Sequence, residues 1–533
     1  MITFTDVTFT YPGASAPALA DVNLAVDEGE FFLVVGETGA GKSTLLRAVN
    51  GLVPHFTGGT LLGTVTVDGI STVTPPRELA DRVGVVGQSP AAGFVTDTVE
   101  DELAYAMENL GVAPAAMRRR VEDVLDLLGI APLRRRSLST LSSGEAQRVA
   151  IGSVLTASPR VLVLDEPTSA LDPGAAEDVL AILTRLVDDL GLTVFVAEHR
   201  LERVVQYASR IGVVGADRRV RAGFPADVMV DAPVAPPVVA LGRLAGWLPV
   251  PLSVRDARRA AAPLRERLAA LVPHAPARAA TGETVAKLER VAARYGSVDV
   301  LHDVDCSIAR GEIVALMGRN GAGKSTLLRM LAGLKQPTTG RVLVDGARPH
   351  ELASTALVRH VGLVPSDPAA LLYERTIAAE CAAADHDHRL RAGTTRALLD
   401  RIEPGLDPNR HPRDCSEGQR LALAIALILA PAPPLLLLDE PTRGLDYAAK
   451  ARLSAVLREL AASGHAVMLA THDVELVAET AGRAIVIADG EIVSDGPARE
   501  VVCHSPVFAP QVAKVLAPAE WLTVGEVAAA LAS

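Results

Sequence analysis

GETGAGKSTLLRAVNGL, residues 36–52, returns as GRNGAGKSTLLRMLAGL, residues 318–334. Each copy keeps the spacing GxxxxGK[ST] of a phosphate-binding loop. The glycines let successive backbone N–H groups curl around phosphate, the lysine neutralises the β and γ charge, and the hydroxyl after it can ligate Mg²⁺. The flanks agree. FFLVV and IVALM read as strands before the loops, and STLLRAV and STLLRML as helices after them, whose N-terminal dipoles add to phosphate binding. The residues expected to cradle a nucleotide's phosphates are therefore Gly36, Glu37, Thr38, Gly39, Ala40, Gly41, Lys42, Ser43 and Thr44. In the second copy they are Gly318, Arg319, Asn320, Gly321, Ala322, Gly323, Lys324, Ser325 and Thr326.

The repetition runs outward from these loops. VLVLDEPTSALD at 161–172 returns as LLLLDEPTRGLD at 435–446. Lys42 and Lys324 are 282 residues apart, Glu166 and Glu440 are 274 apart, and His199 and His472 are 273 apart. Offsets this constant mean a tandem duplication of one domain. The tails repeat too, APVAPPVVA at Ala232 resembling SPVFAPQVA at Ser505. The expected organisation is a first domain at 1–225 with an appendage at 226–262, and a second domain at 285–498 with an appendage at 499–533. An Ala-, Pro- and Arg-rich stretch at 263–284 is read as a flexible linker between them.

Apolar residues make up 49% of the 533 and charged residues 22%, enough for large cores and incompatible with global disorder. Short apolar runs alternating with helical patterns predict an α/β fold with a largely parallel sheet. The D-G pairs at Asp68-Gly69 and Asp345-Gly346 predict antiparallel hairpins. The net charge of −11 argues against a nucleic-acid partner. Cys306, Cys381, Cys415 and Cys503 lie far apart, so neither a disulfide framework nor a zinc knuckle is expected. The opening MITFTDVTFTYPG alternates like a strand and lacks the pattern of a signal peptide. Leu421–Leu438 has eighteen residues without a charge, but Pro431, Pro433 and Pro434 divide it into a buried helix and a buried strand rather than a membrane span. His386-Asp387-His388 reads as a polar loop rather than a metal site, and the arginines at 118–120 and 134–136 as solvated faces.

Two carboxylates close each repeated strand. Asp165 and Asp439 fall where they can hold Mg²⁺ beside the phosphate loop, and Glu166 and Glu440 where they can orient the attacking water as general bases. Between loop and carboxylates lies LSSGEAQRVAIGSVLTASP at 141–159, with CSEGQRLALAIALILAP at 415–431 as its counterpart. With this segment in that order, the chain resembles the ABC ATPases along both halves. The resemblance implies two tandem P-loop ABC nucleotide-binding domains, each with a RecA-like parallel core, an antiparallel β subdomain and a helical signature subdomain.

Further roles follow from the resemblance. Tyr11 and Tyr295 match the aromatic that stacks on adenine. Gln88 matches the glutamine that senses Mg²⁺ and water, and His199 and His472 match the switch histidine at the γ-phosphate. Asp172 and Asp446 close the turns that bridge the sites. In the family two domains close head to tail, so Ser142, Ser143 and Gly144 would complete the second half's site, and Ser416 and Gly418 the first's. The halves also differ. Ser366 stands in the place of Gln88, while Cys415 and Glu417 replace the usual Leu and first Gly, which by the resemblance would add a carboxylate near the first site's γ-phosphate, so unequal turnover is expected.

The first half carries a finer likeness. NGLVPHFTGGTLLGTVTVDG at 50–69, FVTDTVEDELAYAMENLG at 94–111 and EHRLERV at 198–204 are similar to the duplicated ATPase of energy-coupling-factor transporters. That likeness implies MgATP hydrolysis at the cytoplasmic face of the cell membrane, driving uptake of a vitamin, a vitamin precursor or a metal ion. The partners implied are an integral membrane coupling subunit and a small substrate-binding membrane subunit. A sugar-type importer ATPase and the ribosome-acting tandem ABC proteins share the architecture. The latter join their halves by a long charged helical arm, whereas this linker contains Pro273 and Pro276.

Overall fold

The computed structural model describes residues 1–273 and 282–532. They divide into two compact units, Met1–Ala257 and Arg258–Ser533. Each unit has a six-stranded sheet. In the first, the strand order is Val220–Gly223, Arg210–Val214, Phe31–Val35, Thr193–Ala197, Val161–Asp165, Val83–Val86. All neighbours are parallel except the Val220–Gly223 edge, which is antiparallel. The second unit repeats this order with Glu491–Pro497, Arg483–Ala488, Ile313–Met317, Ala466–Ala470, Leu435–Asp439 and Val361–Val364. The central strands FFLVV, TVFVA, IVALM and AVMLA are buried at every residue, as expected of parallel strands covered on both faces.

A smaller antiparallel sheet accompanies each core. In the first unit it runs Leu19–Val26, Ile2–Thr10, Thr60–Val67, Ile70–Ser71. Asp68 and Gly69 both take positive φ, 51° and 77°, and turn the chain between its last two strands, the geometry that favours Asp-Gly in tight hairpins. In the second unit the order is Val298–Ala309, Thr284–Tyr295, Thr339–Val344. A helical layer completes each unit, with helices Val99–Asn109, Pro114–Leu127 and Ser143–Leu155 in the first. In the second these are Ile377–Asp387, Thr394–Ile402 and Glu417–Leu429.

The charge-free stretch at 421–438 resolves into helix Glu417–Leu429 and strand Leu435–Asp439. Among the described residues no helix is long and apolar enough to cross a membrane. All four cysteines are free. His386 falls in the last turn of helix Ile377–Asp387 rather than in a loop, and among the described residues no three or more His, Cys, Asp or Glu side chains gather as a metal site.

The reading of 263–284 as linker needs correction at its start. Helix Ala262–Leu268 buries Leu264 and Leu268, and the Arg265 guanidinium donates to the Val515 carbonyl at 2.6 Å. Its apolar spacing of four residues gives it a packed face despite the Ala/Pro/Arg composition. The rest of that stretch includes 274–281, which lie outside the described residues. The appendages are helical as well, Pro237–Ala245 and Val254–Ala260 in one half and Gln511–Leu516 and Val524–Ala532 in the other, with Trp521 fully buried.

Candidate functional site

The site of the first unit is built by strand order. Adjacent parallel strands Val83–Val86, Val161–Asp165, Thr193–Ala197 and Phe31–Val35 end in turn on Gln88, Asp165-Glu166, His199 and the phosphate loop. The carboxyl edge of a parallel sheet is where such folds gather ligands. The loop itself is tight. A side chain at Gly36 would meet the Val214 carbonyl at 2.8 Å, and one at Gly41, with φ 114°, would meet the Ala18 carbonyl at 2.5 Å. Glycine is therefore required at both positions by space as well as by backbone conformation. Lys42 is buried and its Nζ donates to the Gly36 and Glu37 carbonyls at 2.8 and 3.0 Å.

Glu166 leaves its strand with φ 53°, and its amide donates to the Ala197 carbonyl at 2.9 Å, joining it to the strand that delivers His199. His199 Nε2 lies 2.9 Å from Glu166 Oε1, and Gln88 Nε2 donates to Oε2 at 3.0 Å. Burial alone would raise the Glu166 carboxyl, but the His199 hydrogen bond and charge, Lys42 and Gln88 outweigh it and hold it below the usual range. Asp165 moves the other way. Burial and then the Glu166 charge push it up, against a hydrogen bond from Ser43.

The second unit repeats the frame with other contacts. Lys324 Nζ donates to the Gly318 and Arg319 carbonyls at 2.8 and 3.1 Å. Glu440, φ 50°, donates its amide to Ala470 at 2.8 Å. Here it is Nδ1 of His472 that lies against the glutamate, 2.7 Å from Oε2, and Lys324 Nζ stands 3.9 Å from Oε1. Asp439 is pushed up by burial, against the Ser325 hydrogen bond.

In each unit a serine hydroxyl and an aspartate carboxylate, Ser43 with Asp165 and Ser325 with Asp439, are hydrogen-bonded at the end of the phosphate loop. Paired hard oxygen donors, with a carboxylate that burial disfavours in its charged form, fit a divalent cation such as Mg²⁺.

The tyrosines differ. Tyr11 packs edge-on against Phe9 with centroids 4.8 Å apart, and its hydroxyl lies 2.9 Å from Thr44 Oγ1, which sets it beside the phosphate loop. Tyr295 is 44% exposed and carries the Lys335 ammonium over its ring, 3.8 Å from the centroid. A cation on the ring competes with a stacked base for the same surface.

The segments after 141 and 415 stand on another element. Ser142 and Ser416 cap helices Ser143–Leu155 and Glu417–Leu429, each in a reciprocal capping box with the side chain three residues on, Glu145 or Gln419. Gly144 and Gly418 lie in the first turns, where a methyl group on Gly144 would come within 3.0 Å of Ala175 Cβ. Glu417, the additional carboxylate of the second segment, pairs with the Arg420 guanidinium one turn along.

A residue that the sequence reading missed is Glu198. It is 1% exposed, its Oε1 accepts the Thr168 amide at 3.0 Å and also the Thr168 hydroxyl, and its Oε2 accepts the His199 amide at 3.1 Å. Burial and the Glu166 charge raise its carboxyl, against the Thr168 hydrogen bonds and Arg203. The available signal was a charge closing the apolar run TVFVA where the other half has Thr471.

The ABC transporter family model matches residues 19–169 and 301–443, once in each unit. The chain belongs to this family. An ABC transporter ATP-binding protein of Streptomyces avermitilis is 60% identical over the full length of both chains. One of Methanosarcina mazei is 34% identical over 94% of this chain and 90% of its own. Among solved structures, the cbiO1 protein of Clostridium perfringens, described as part of the ABC transporter complex cbiONQ, is similar. It is 28% identical, covers 43% of this chain and 90% of its own, and has a TM-score of 0.40. This ABC chain is thus a transporter ATP-binding subunit with two ATPase domains that bind and hydrolyse ATP.

Proposed function

We propose that the chain is the duplicated ATPase of an energy-coupling-factor importer, peripheral to the membrane, and that it drives uptake of a vitamin, a vitamin precursor or a metal ion. Separate membrane subunits, one coupling and one substrate-binding, carry the cargo. The observation that carries this reading is the first half's segment 94–111, FVTDTVEDELAYAMENLG. It supplies exposed Val95, Tyr105 and Leu110 on and beside helix Val99–Asn109, while buried Glu102 fastens the loop by accepting the Val95 and Thr96 amides at 3.0 Å each. A fixed loop with apolar groups facing outward suits a partner that must transmit force.

The chemistry follows from the residues already placed. Lys42 and Lys324 bind phosphate oxygens released from the loop carbonyls they now contact. Glu166 and Glu440, kept beside a histidine, take the proton of the attacking water, and His199 and His472 hold the γ-phosphate in line. Ser43 with Asp165 and Ser325 with Asp439 would hold Mg²⁺, which would supply charge neutralisation for phosphoryl transfer. Gln88 reaches Glu166 directly and reports occupancy toward the partner.

Purification from native membranes in mild detergent, followed by mass spectrometry, tests the reading. Co-purification of a multi-span coupling protein and a small membrane subunit is the expected result. Ribosomal proteins, or a pair of large permease subunits, would overturn it while leaving the ATPase assignment intact.

A further inference from the structure

The buried carboxylate of Glu198 has no counterpart in the other half. EHRLERV at 198–204 aligns with THDVELV at 471–477, so Thr471 and Leu476 occupy the places of Glu198 and Arg203. In the first unit these two residues grip one turn from both sides. Glu198 accepts the amide and hydroxyl of Thr168, and Arg203 donates to the Thr168 carbonyl at 3.0 Å and the Leu171 carbonyl at 3.2 Å. The gripped turn begins two residues after Glu166 and ends on Asp172, which caps helix Pro173–Leu190. The other oxygen of Glu198 holds the main chain of His199. The second unit fastens the same region differently, through a buried Lys450–Asp473 pair at 2.7 Å and the Thr471 hydroxyl accepting the Asp473 amide at 3.0 Å.

A buried carboxylate beside another carboxylate is a costly way to fill space, because desolvation and like charge both oppose it. Its three donors all belong to residues that carry or adjoin the catalytic groups. We propose that Glu198 is a positioning residue of the first half. It locks the His199 main chain to the Thr168–Asp172 turn, and so keeps His199 Nε2 against Glu166. Hydrolysis in the first half depends on this clamp, and hydrolysis in the second does not.

The inference rests on the roles given above to Glu166 and His199. Its test is steady-state ATPase of the full chain carrying Glu198→Gln. The amide keeps the shape but must turn an N–H₂ toward either the Thr168 donors or the His199 amide, so one clamp contact becomes a donor facing a donor. With His199 displaced, kcat falls about 10-fold while KM for ATP changes by less than about two-fold. Added to His199→Ala, the same substitution costs less than about two-fold further, because it acts through that histidine. An unchanged kcat, or an equal fold-loss with and without His199, would overturn the proposal. A second variant guards against misfolding. Glu198→Thr with Arg203→Leu installs the other half's pair and leaves no unpartnered buried charge; it too loses kcat if the clamp positions His199, and full kcat in it refutes the proposal. If His199→Ala by itself leaves ATPase intact, the site reading has failed rather than the clamp alone.

Discussion

Glu166 and Glu440 sit at equivalent strand ends, with the same left-handed backbone and the same main-chain tie to the neighbouring strand, yet they keep different company. Glu166 is held on both oxygens by side chains, His199 and Gln88. Glu440 has its histidine presented through the other ring nitrogen and the Lys324 ammonium nearby, and Ser366 stands where the glutamine would be. Duplication preserved the frame that the sheet imposes and let the side-chain shell drift. The first half keeps more side-chain contacts around its glutamate.

The largest effect that separates the halves is expected at the histidines. His199→Ala lowers kcat about 100-fold, and His472→Ala less than about two-fold, both read by steady-state ATPase; the reverse order would break the comparison. Next come the glutamine positions. Gln88→Ala removes the 3.0 Å contact to Glu166 and costs about 10-fold in kcat, whereas Ser366→Gln in the second half leaves ATPase unchanged or raises it by no more than a few-fold.

The smallest effect is on stability. A carboxyl whose folded pKa is raised stabilises the fold below its ordinary value, 3.8 for Asp165, and loses that contribution as pH rises through the folded value. At pH 7 without nucleotide or divalent cation, Asp165→Asn therefore raises the melting temperature by about 1–3 °C, a gain that disappears as pH falls toward 4. Asp439→Asn gains less, because the Ser325 hydrogen bond is second only to burial there, whereas at Asp165 the second influence is the repulsive Glu166 charge.

Much of this was legible in the sequence. The phosphate loops need glycine for backbone reasons that survive any packing, and the apolar strands ending in Asp-Glu fix where the carboxylates emerge. What was not legible depends on contacts across long separations or around a helix turn. Glu198 looks like a surface acid until its partner Thr168, thirty residues earlier, is placed against it. Glu417 looks like a liability until Arg420 is seen folding back on it. Tyr295 looks equivalent to Tyr11 until Lys335, forty residues on, is found over its ring. Composition misled at 263–284, where a packed helix begins in a stretch whose residues resemble those of a flexible linker.

The central claim is that the two equivalent glutamates do unequal work, and comparing Glu166→Gln with Glu440→Gln in the full chain tests it most directly. The account predicts that steady-state ATPase falls below about a tenth with Glu166→Gln, and that Glu440→Gln retains several-fold more. Equal losses from the two substitutions would contradict it.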